Sequence, residues 1–358
     1  MHRTISAYII AAKRTALGRV GGLHRNRRIE SLTAPVLAAA LEDCNLPPER
    51  VDEIIIGNAT QGGNPARLIA LAAGLPESAA ALTIDRQCAS GLDAIVTACR
   101  AVADGQADII AAGGAEAIST APWRIAKPKS LYQLPHFIGV EPSMMDESEE
   151  PHLYEASEEL SQRLNIAREQ QDAWAFRSHL KAENAREKRK FVGEIVPLRS
   201  APEEAKDQSA AAGAEPEYFS AEPPFLPPQG SLTPANTSAM HDGAAITIVV
   251  SEKVWDELGR PPALRLVASV SRGVPPDNEA GAPMEAMQKL YDRLEGFNPK
   301  DIGLIELSET TAAQAKAFCS SNGREDDLKN PDRGPVVRGQ PFAAPGAHHH
   351  DTQNSRKQ

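Results

Sequence analysis

The sequence predicts a layered α/β protein, and three observations predict it. Short apolar or β-branched runs ended by Gly or polar residues recur at 6–12, 51–57, 82–87 and 108–112, which is how buried strands read. Between them lie Ala/Leu-rich segments whose apolar residues recur at helical spacing. With 358 residues, 41% of them hydrophobic, there is core material for two or three domains at ~100–200 residues each. Strands alternating with helices build a sheet covered by helices.

The first strand is SAYIIAA at 6–12. Arg3, Lys13 and Arg14 surround it, but the run is short for a signal-peptide core and its last basic residues fall on the wrong side. The segment 31–44 places Leu32, Val36, Leu37, Ala40 and Leu41 on one helical face, and 66–73 is a second Ala/Leu-rich helix. After the strand at 82–87, Leu92, Ile95, Val96, Cys99 and Val102 mark a helix that Gly105 stops. Residues 119–235 break this rhythm: an acidic run at 146–150, a long Glu/Gln/Lys/Arg-rich helix at 155–190, and a Pro/Ala/Glu/Gly-rich irregular stretch at 197–230. Strands are expected again at 244–250, 263–270 and 301–307, with a helix at 282–294. A second α/β half therefore follows the insertion.

Composition excludes several functions. The formal net charge of -10, from 38 Lys and Arg against 48 Asp and Glu, provides no global positive field for a nucleic-acid backbone. The longest apolar stretches, such as 7–12 and 109–112, are far short of the ~20 residues that cross a bilayer, so neither nucleic acid nor membrane is an expected partner. Cys44, Cys88, Cys99 and Cys319 form no CxxC pair, which suits neither zinc nor a disulfide scaffold and points to a cytoplasmic protein with reduced thiols. No phosphate loop of the form GxxxxGK[ST] or GxGxxG follows a strand, so nucleotide hydrolysis and hydride transfer lack a starting point.

One segment carries chemistry. Asp85, Arg86, Gln87, Cys88, Ala89, Ser90 and Gly91 join a strand to a helix and set Cys88 at the helix N-terminus. The unpaired N–H groups and the positive dipole end there favour a thiolate, a nucleophile able to accept an acyl group. Ala89, Ser90 and Gly91 are small enough to let a substrate approach. A free cysteine is also often a plain buried hydrophobe, so position alone leaves both readings open.

The surrounding words decide between them. AYIIAAKRTALGR at 7–19, IIIGNATQGGNPAR at 54–67, RQCASGLDAI at 86–95, ADIIAAGGAEAIS at 107–119, LNIAREQQDAWAFRSHLKA at 164–182 and LTPANTSAMHDGAAITIVVSE at 232–252 occur in the order found in thiolases. Over roughly residues 5–347 the chain resembles this family of acetyl-CoA and acyl-CoA C-acyltransferases. The resemblance implies a five-layer α-β-α-β-α sandwich of two similar halves with an inserted loop domain. The divisions are 1–118 plus 236–265 for the first half, 119–235 for a coenzyme A-binding loop domain, and 266–358 for an incomplete second half. It further implies Cys88 as the acyl-carrying nucleophile and Ser238 lining the pantetheine channel, although Ser238 also reads as an ordinary turn residue. His152, in PHLYEASEEL, lies where the family has a segment facing the thioester; it could polarise a substrate or be a solvated loop histidine. Coenzyme A thioester enters as substrate, no separate cofactor or metal is implied, and a homodimer or homotetramer in fatty-acid metabolism is expected.

The later motifs depart from the family. Its Asn-Glu-Ala-Phe becomes Ser308-Glu309-Thr310-Thr311, so the Asn that positions a catalytic water is Ser308. Its Gly-His-Pro becomes Gly339-Gln340-Pro341, and Gln340 can donate a hydrogen bond but cannot act as a general base near neutral pH. No cysteine follows Cys319, itself read as a packing residue, where the family has a second catalytic cysteine. Positioned acid–base groups contribute ~10²–10⁴-fold each, so the Claisen or thiolysis step is expected to be impaired, while slow acylation of Cys88 could survive because the helix N-terminus still favours a thiolate. The alternatives are a diverged acyltransferase or hydrolase, an acyl-CoA-binding protein without turnover, and a decayed thiolase. The tail from His348 lies where an amphipathic helix would run, which predicts exposed apolar surface, lower stability and some aggregation.

Two rival constellations are weaker. His348, His349 and His350 form a metal-binding composition without a carboxylate or thiolate at ligand spacing. His241 and Asp242 suggest a triad with Ser238, but residues adjacent in sequence rarely converge on one point.

Overall fold

In the computed structural model the described residues are 6–138, 153–198, 205–208, 213–322 and 330. The first half runs β1 (Ala7–Arg14), β2 (Gly18–Arg19), α1 (Ile29–Asp43), β3 (Glu53–Gly57), α2 (Pro65–Ala72), β4 (Ala80–Ile84), α3 (Ser90–Ala103) and β5 (Ile109–Glu116). The insertion adds β6 (Arg124–Ala126), β7 (His136–Ile138), α4 (Leu153–Arg163), α5 (Arg168–Glu187) and α6 (Pro216–Ala221). The chain then returns through β8 (His241–Ser251), α7 (Glu252–Glu257), β9 (Leu264–Arg265), α8 (Ala282–Arg293) and α9 (Ala312–Ser321).

The main sheet has seven strands, in the order β4-β3-β5-β8-β1-β9 with β2 beside β8. β3 pairs in parallel with β4 and β5, whereas β8 runs antiparallel to both β5 and β1. Strand alternation divides the core. Ile54 and Ile56 of β3 pack on one face with Leu32, Val36 and Leu37 of α1, while Ile55 packs on the other with Ala94, Ile95 and Ala98 of α3. Helices on both faces explain why β3, β5 and β8 read as continuous apolar runs rather than alternating ones. By this topology 241–251 belongs to the first sheet although the insertion precedes it.

Four expected elements differ in extent. The strand at 82–87 begins earlier and ends at Ile84, because Asp85 to Ala89 turn toward α3. The long helix at 155–190 is two helices, broken at Asn165, which adopts φ 52; Asn tolerates the left-handed region better than most residues. The strand at 263–270 shortens to Leu264–Arg265, and among the described residues 301–307 holds a single bridge position, Ile305, rather than a strand. There Asn330 bonds the backbone: its N–H donates to Ile305 O at 2.9 Å, its Oδ1 accepts from Leu307 N at 2.8 Å, and its Nδ2 donates to Leu307 O at 3.0 Å. The α/β class stands, and within the described residues the region beyond 266 supplies helices to the core but no sheet.

The insertion is tied to β1 by a buried ionic cluster. Arg14 is fully buried; its Nε donates to Glu194 at 2.5 Å and its Nη1 to Asp207 at 2.7 Å. Asp207 also accepts from Leu17 N at 2.8 Å, and Val196 N donates to Arg14 O at 2.8 Å. Within α5, His179 is buried against the Phe219 ring, and burial pushes its pKa down to about 4. The unfolded chain, near the ordinary value of about 6.5, binds this proton first, so stability is lost as pH falls from about 6.5 to 4, by about 1.4 kcal/mol per unit at most. Chemical denaturation across this range should show His179→Leu losing less stability on acidification than the wild type.

Candidate active site

Cys88 sits in a 3₁₀ turn, Gln87–Ala89, between the end of β4 and the start of α3. It is half-buried. The turn is held closely: Gln87 has φ 50, its N–H donates to Asp85 Oδ1 at 2.9 Å, and Ser90 Oγ both accepts from Arg86 N at 2.7 Å and donates to Gln87 O at 2.6 Å. Beneath it Gly57 closes β3. A Cβ built there would lie 2.4 Å from Ser90 C and 2.5 Å from Gly91 N, so only glycine lets the head of α3 rest on the strand.

The loop after β3 is organised by one buried carboxylate. Glu116, the last residue of β5, accepts from Ala59 N at 2.6 Å, from Asn58 Nδ2 at 3.2 Å and from the Thr60 hydroxyl. Asn58 N donates to Ile84 O at 3.0 Å, joining this loop to β4 just before the Cys88 turn. The C-terminal ends of β3, β4 and β5 thus form one polar rim, the usual location of ligand sites in α/β sheets.

Ser238 reaches the same end from another direction. Antiparallel pairing sets Gly243, near the start of β8, opposite Glu116, so the segment leading into β8 arrives at this rim. That segment is bonded to the turn before α9: Ser238 N donates to Thr310 O at 2.9 Å, Ala312 N donates to Asn236 O at 2.9 Å, and Thr237 bridges Thr311. Ser238 is therefore bonded to Thr310, two residues after Ser308, whose carbonyl accepts from Thr310 N at 3.2 Å. The Ser308 hydroxyl is buried without a hydrogen-bond partner among the described residues. Buried Glu309 accepts from Trp174 Nε1 at 3.2 Å and Ser178 Oγ at 3.3 Å of α5. Asn236 Nδ2 donates to Asp172 of the same helix at 2.9 Å, and burial pushes the Asp172 carboxyl up despite that bond and Arg168. One helix of the insertion thus fixes both segments.

His152, Gln340 and the histidines at 348–350 lie outside the described residues. His241 makes no triad: its ring faces Ala239 O at 3.0 Å and Gln208 O at 3.2 Å, burial pushes its pKa down, and Asp242 takes the backbone N–H of Ser119 at 2.9 Å. Cys319 is buried in a cluster with Phe318 and Leu307. Among the described residues no cluster of three His, Cys, Asp or Glu side chains could hold a metal, and no helix is long and apolar enough to cross a membrane. A cavity of about 300 Å³ opens between α5 and α6, but Glu169 and Glu217 at its mouth would repel a phosphate-bearing ligand. Sequence reading missed Ser90, Glu116 and Glu309 as organisers. A buried carboxylate in an Ala/Gly-rich strand was the available signal for Glu116.

Fold and site together define an α/β protein with a cysteine displayed on a sharp turn at the C-terminal rim of a mixed sheet. The family description "thiolase, N-terminal domain" matches residues 7–253. An acetyl-CoA acetyltransferase of Cupriavidus necator is 34% identical over 351 residues, spanning 94% of this chain and 89% of that protein. A beta-ketoadipyl-CoA thiolase of Pseudomonas putida is 34% identical over 360 residues, spanning 95% and 90%. The crystal structure of the Bacillus anthracis acetyl-CoA acetyltransferase superposes with a TM-score of 0.89 at 29% identity, covering 99% of this chain and 93% of that one. The chain belongs to the thiolase family.

Proposed function

We propose that this chain is an acyl-CoA C-acyltransferase of fatty-acid metabolism in the cytoplasm, with Cys88 as the acyl carrier. The observation that supports it most is the Cys88 turn, clamped at the head of α3. In the first half-reaction the Cys88 sulfur attacks the thioester carbonyl, the carbon–sulfur bond to coenzyme A breaks, and coenzyme A leaves as a thiolate that takes up a proton. By resemblance, Ser238 is assigned to the pantetheine channel, His152 to the segment that faces the thioester in the family, and 119–235 to the loop domain for coenzyme A, with 1–118 plus 236–265 and 266–358 as the two halves. Ser308 and Gln340 stand in place of the family's Asn and His, so carbon–carbon bond formation or cleavage is slowed by ~10²-fold or more.

Incubation with acetyl-CoA and longer acyl-CoAs, followed by peptide mass spectrometry, should give an acyl adduct confined to Cys88 that Cys88→Ser abolishes. A wild-type chain that binds coenzyme A without an adduct would replace this reading by a second one, acyl-CoA binding without turnover, which the Ser308 and Gln340 substitutions favour. Oligomerisation, as a homodimer or homotetramer, is part of the same proposal. It is supported by the edge position of β4, where Leu82 is exposed with Leu68 and Leu71 of α2 close in the chain to the same strand. Sedimentation equilibrium should then return a multiple of the monomer mass, and a monomer at all concentrations would refute it.

A further inference from the structure

We infer that Ser90 is a positioning residue for the nucleophile: its hydroxyl ties the Arg86 N–H to the Gln87 carbonyl across the left-handed residue Gln87 and so fixes where Cys88 stands. The inference rests on reading Cys88 as the acyl carrier. Gln87, at φ 50, lies in a region that L-residues other than glycine enter only when the surroundings hold them there. Three bonds do so. Asp85 Oδ1 accepts from Gln87 N at 2.9 Å, Ser90 Oγ accepts from Arg86 N at 2.7 Å, and the same hydroxyl donates to Gln87 O at 2.6 Å. The peptide unit before Arg86 and the one after Gln87 are thus tied to a single oxygen, and the unit between them is held by Asp85.

That oxygen is not engaged in ordinary helix capping. A serine at a helix N-terminus usually accepts from an N–H further along the helix, whereas Ser90 reaches back to residues 86 and 87, and α3 carries no side-chain cap. Ser90 itself is fully buried, and its two bonds to the exposed residues Arg86 and Gln87 are part-buried. Its backbone cannot retreat, because its carbonyl carbon already lies where a Cβ on Gly57 would collide. Removing the hydroxyl releases the Arg86 N–H and the Gln87 C=O from the oxygen that joins them. The simplest relaxation returns Gln87 to negative φ, which swings Cys88, the next residue, away from the head of α3.

The test measures two second-order rates on the Cys88 peptide of the folded full chain by mass spectrometry, alkylation by iodoacetamide and acetylation by acetyl-CoA. Ser90→Ala is expected to lower both by about 10-fold or more, since small misplacements of a reacting group cost that much. Gln87→Gly, in which the left-handed conformation carries no Cβ penalty, should stay within about 2-fold of wild type, and Gln87→Gly combined with Ser90→Ala should recover most of the loss. Asp85 is exposed, so Asp85→Ala keeps the test decisive if Ser90→Ala does not fold; it should slow alkylation several-fold. Wild-type rates in Ser90→Ala or in Asp85→Ala would overturn the inference, and so would a Ser90→Ala loss that Gln87→Gly does not recover. Wild-type alkylation without acetylation would overturn the acyl-carrier reading instead, and the alkylation rates of the variants would still decide the role of Ser90.

Discussion

Arg14→Ala is expected to destabilise the protein by about 3–5 kcal/mol, the cost of leaving buried charge unpaired. The guanidinium is fully buried. Burial acts to lower its pKa, but the charges of Asp207 and Glu194 outweigh that and hold it above the ordinary arginine value. Without it, Glu194, itself 5% exposed, and Asp207 face each other across an apolar space beside Phe191. One control separates charge from packing. Arg14→Met in a Glu194→Gln, Asp207→Asn background should recover much of the loss, because neutral amides carry a smaller desolvation cost. Urea denaturation at pH 7 reads both the loss and the recovery. A cost below about 1 kcal/mol would assign the cluster the worth of an exposed ion pair.

What was legible in the sequence follows from which forces are local. The runs at 51–57 and 108–112 could be read as strands because a sheet covered on both faces demands apolar residues at every position, and Ile54, Ile55 and Ile56 fill both clusters. The helix from Ser90 to Ala103 could be read because its buried face has a period the chain displays. Position at the head of that helix made Cys88 visible as a candidate, and the ordered motifs added the family. Long-range polar contacts could not be read. Trp174 and Glu309 lie 135 residues apart in sequence, and Asn330 completes the backbone bonding of 305–307 from 23 residues beyond Leu307. Neither contact leaves a periodic trace. The break at Asn165 had a weak signal, since asparagine tolerates left-handed φ, but no Gly or Pro announced it. Gln87 had none at all: nothing in glutamine's chemistry points to φ 50, and the conformation comes from Ser90 and Asp85.

Gly57→Ala should silence Cys88 without touching it. The added methyl would lie 2.4 Å from Ser90 C, 2.5 Å from Gly91 N and 2.7 Å from Ser90 O, all of them backbone atoms that no rotamer change can move. Either α3 lifts off β3 or the end of β3 leaves its register with Ile84 and Gly114. The first costs packing of Ala94 and Ile95 against Ile55, and the second breaks the Asn58 N to Ile84 O bond that carries the Glu116-held loop. Overpacking of this kind costs about 1–3 kcal/mol, which a fold of this size can bear. The effect on chemistry is larger, since a displacement of about 1 Å at a reacting group can cost ~10²-fold in rate. Acetylation of the Cys88 peptide should therefore fall by about 100-fold in a variant that still unfolds cooperatively, whereas Gly74→Ala, at φ 76 with no atom near its Cβ position, should lose stability alone. Equal acetylation rates in the two variants would show that the head of α3 can shift on β3 without moving the nucleophile, and would detach the strand from the site.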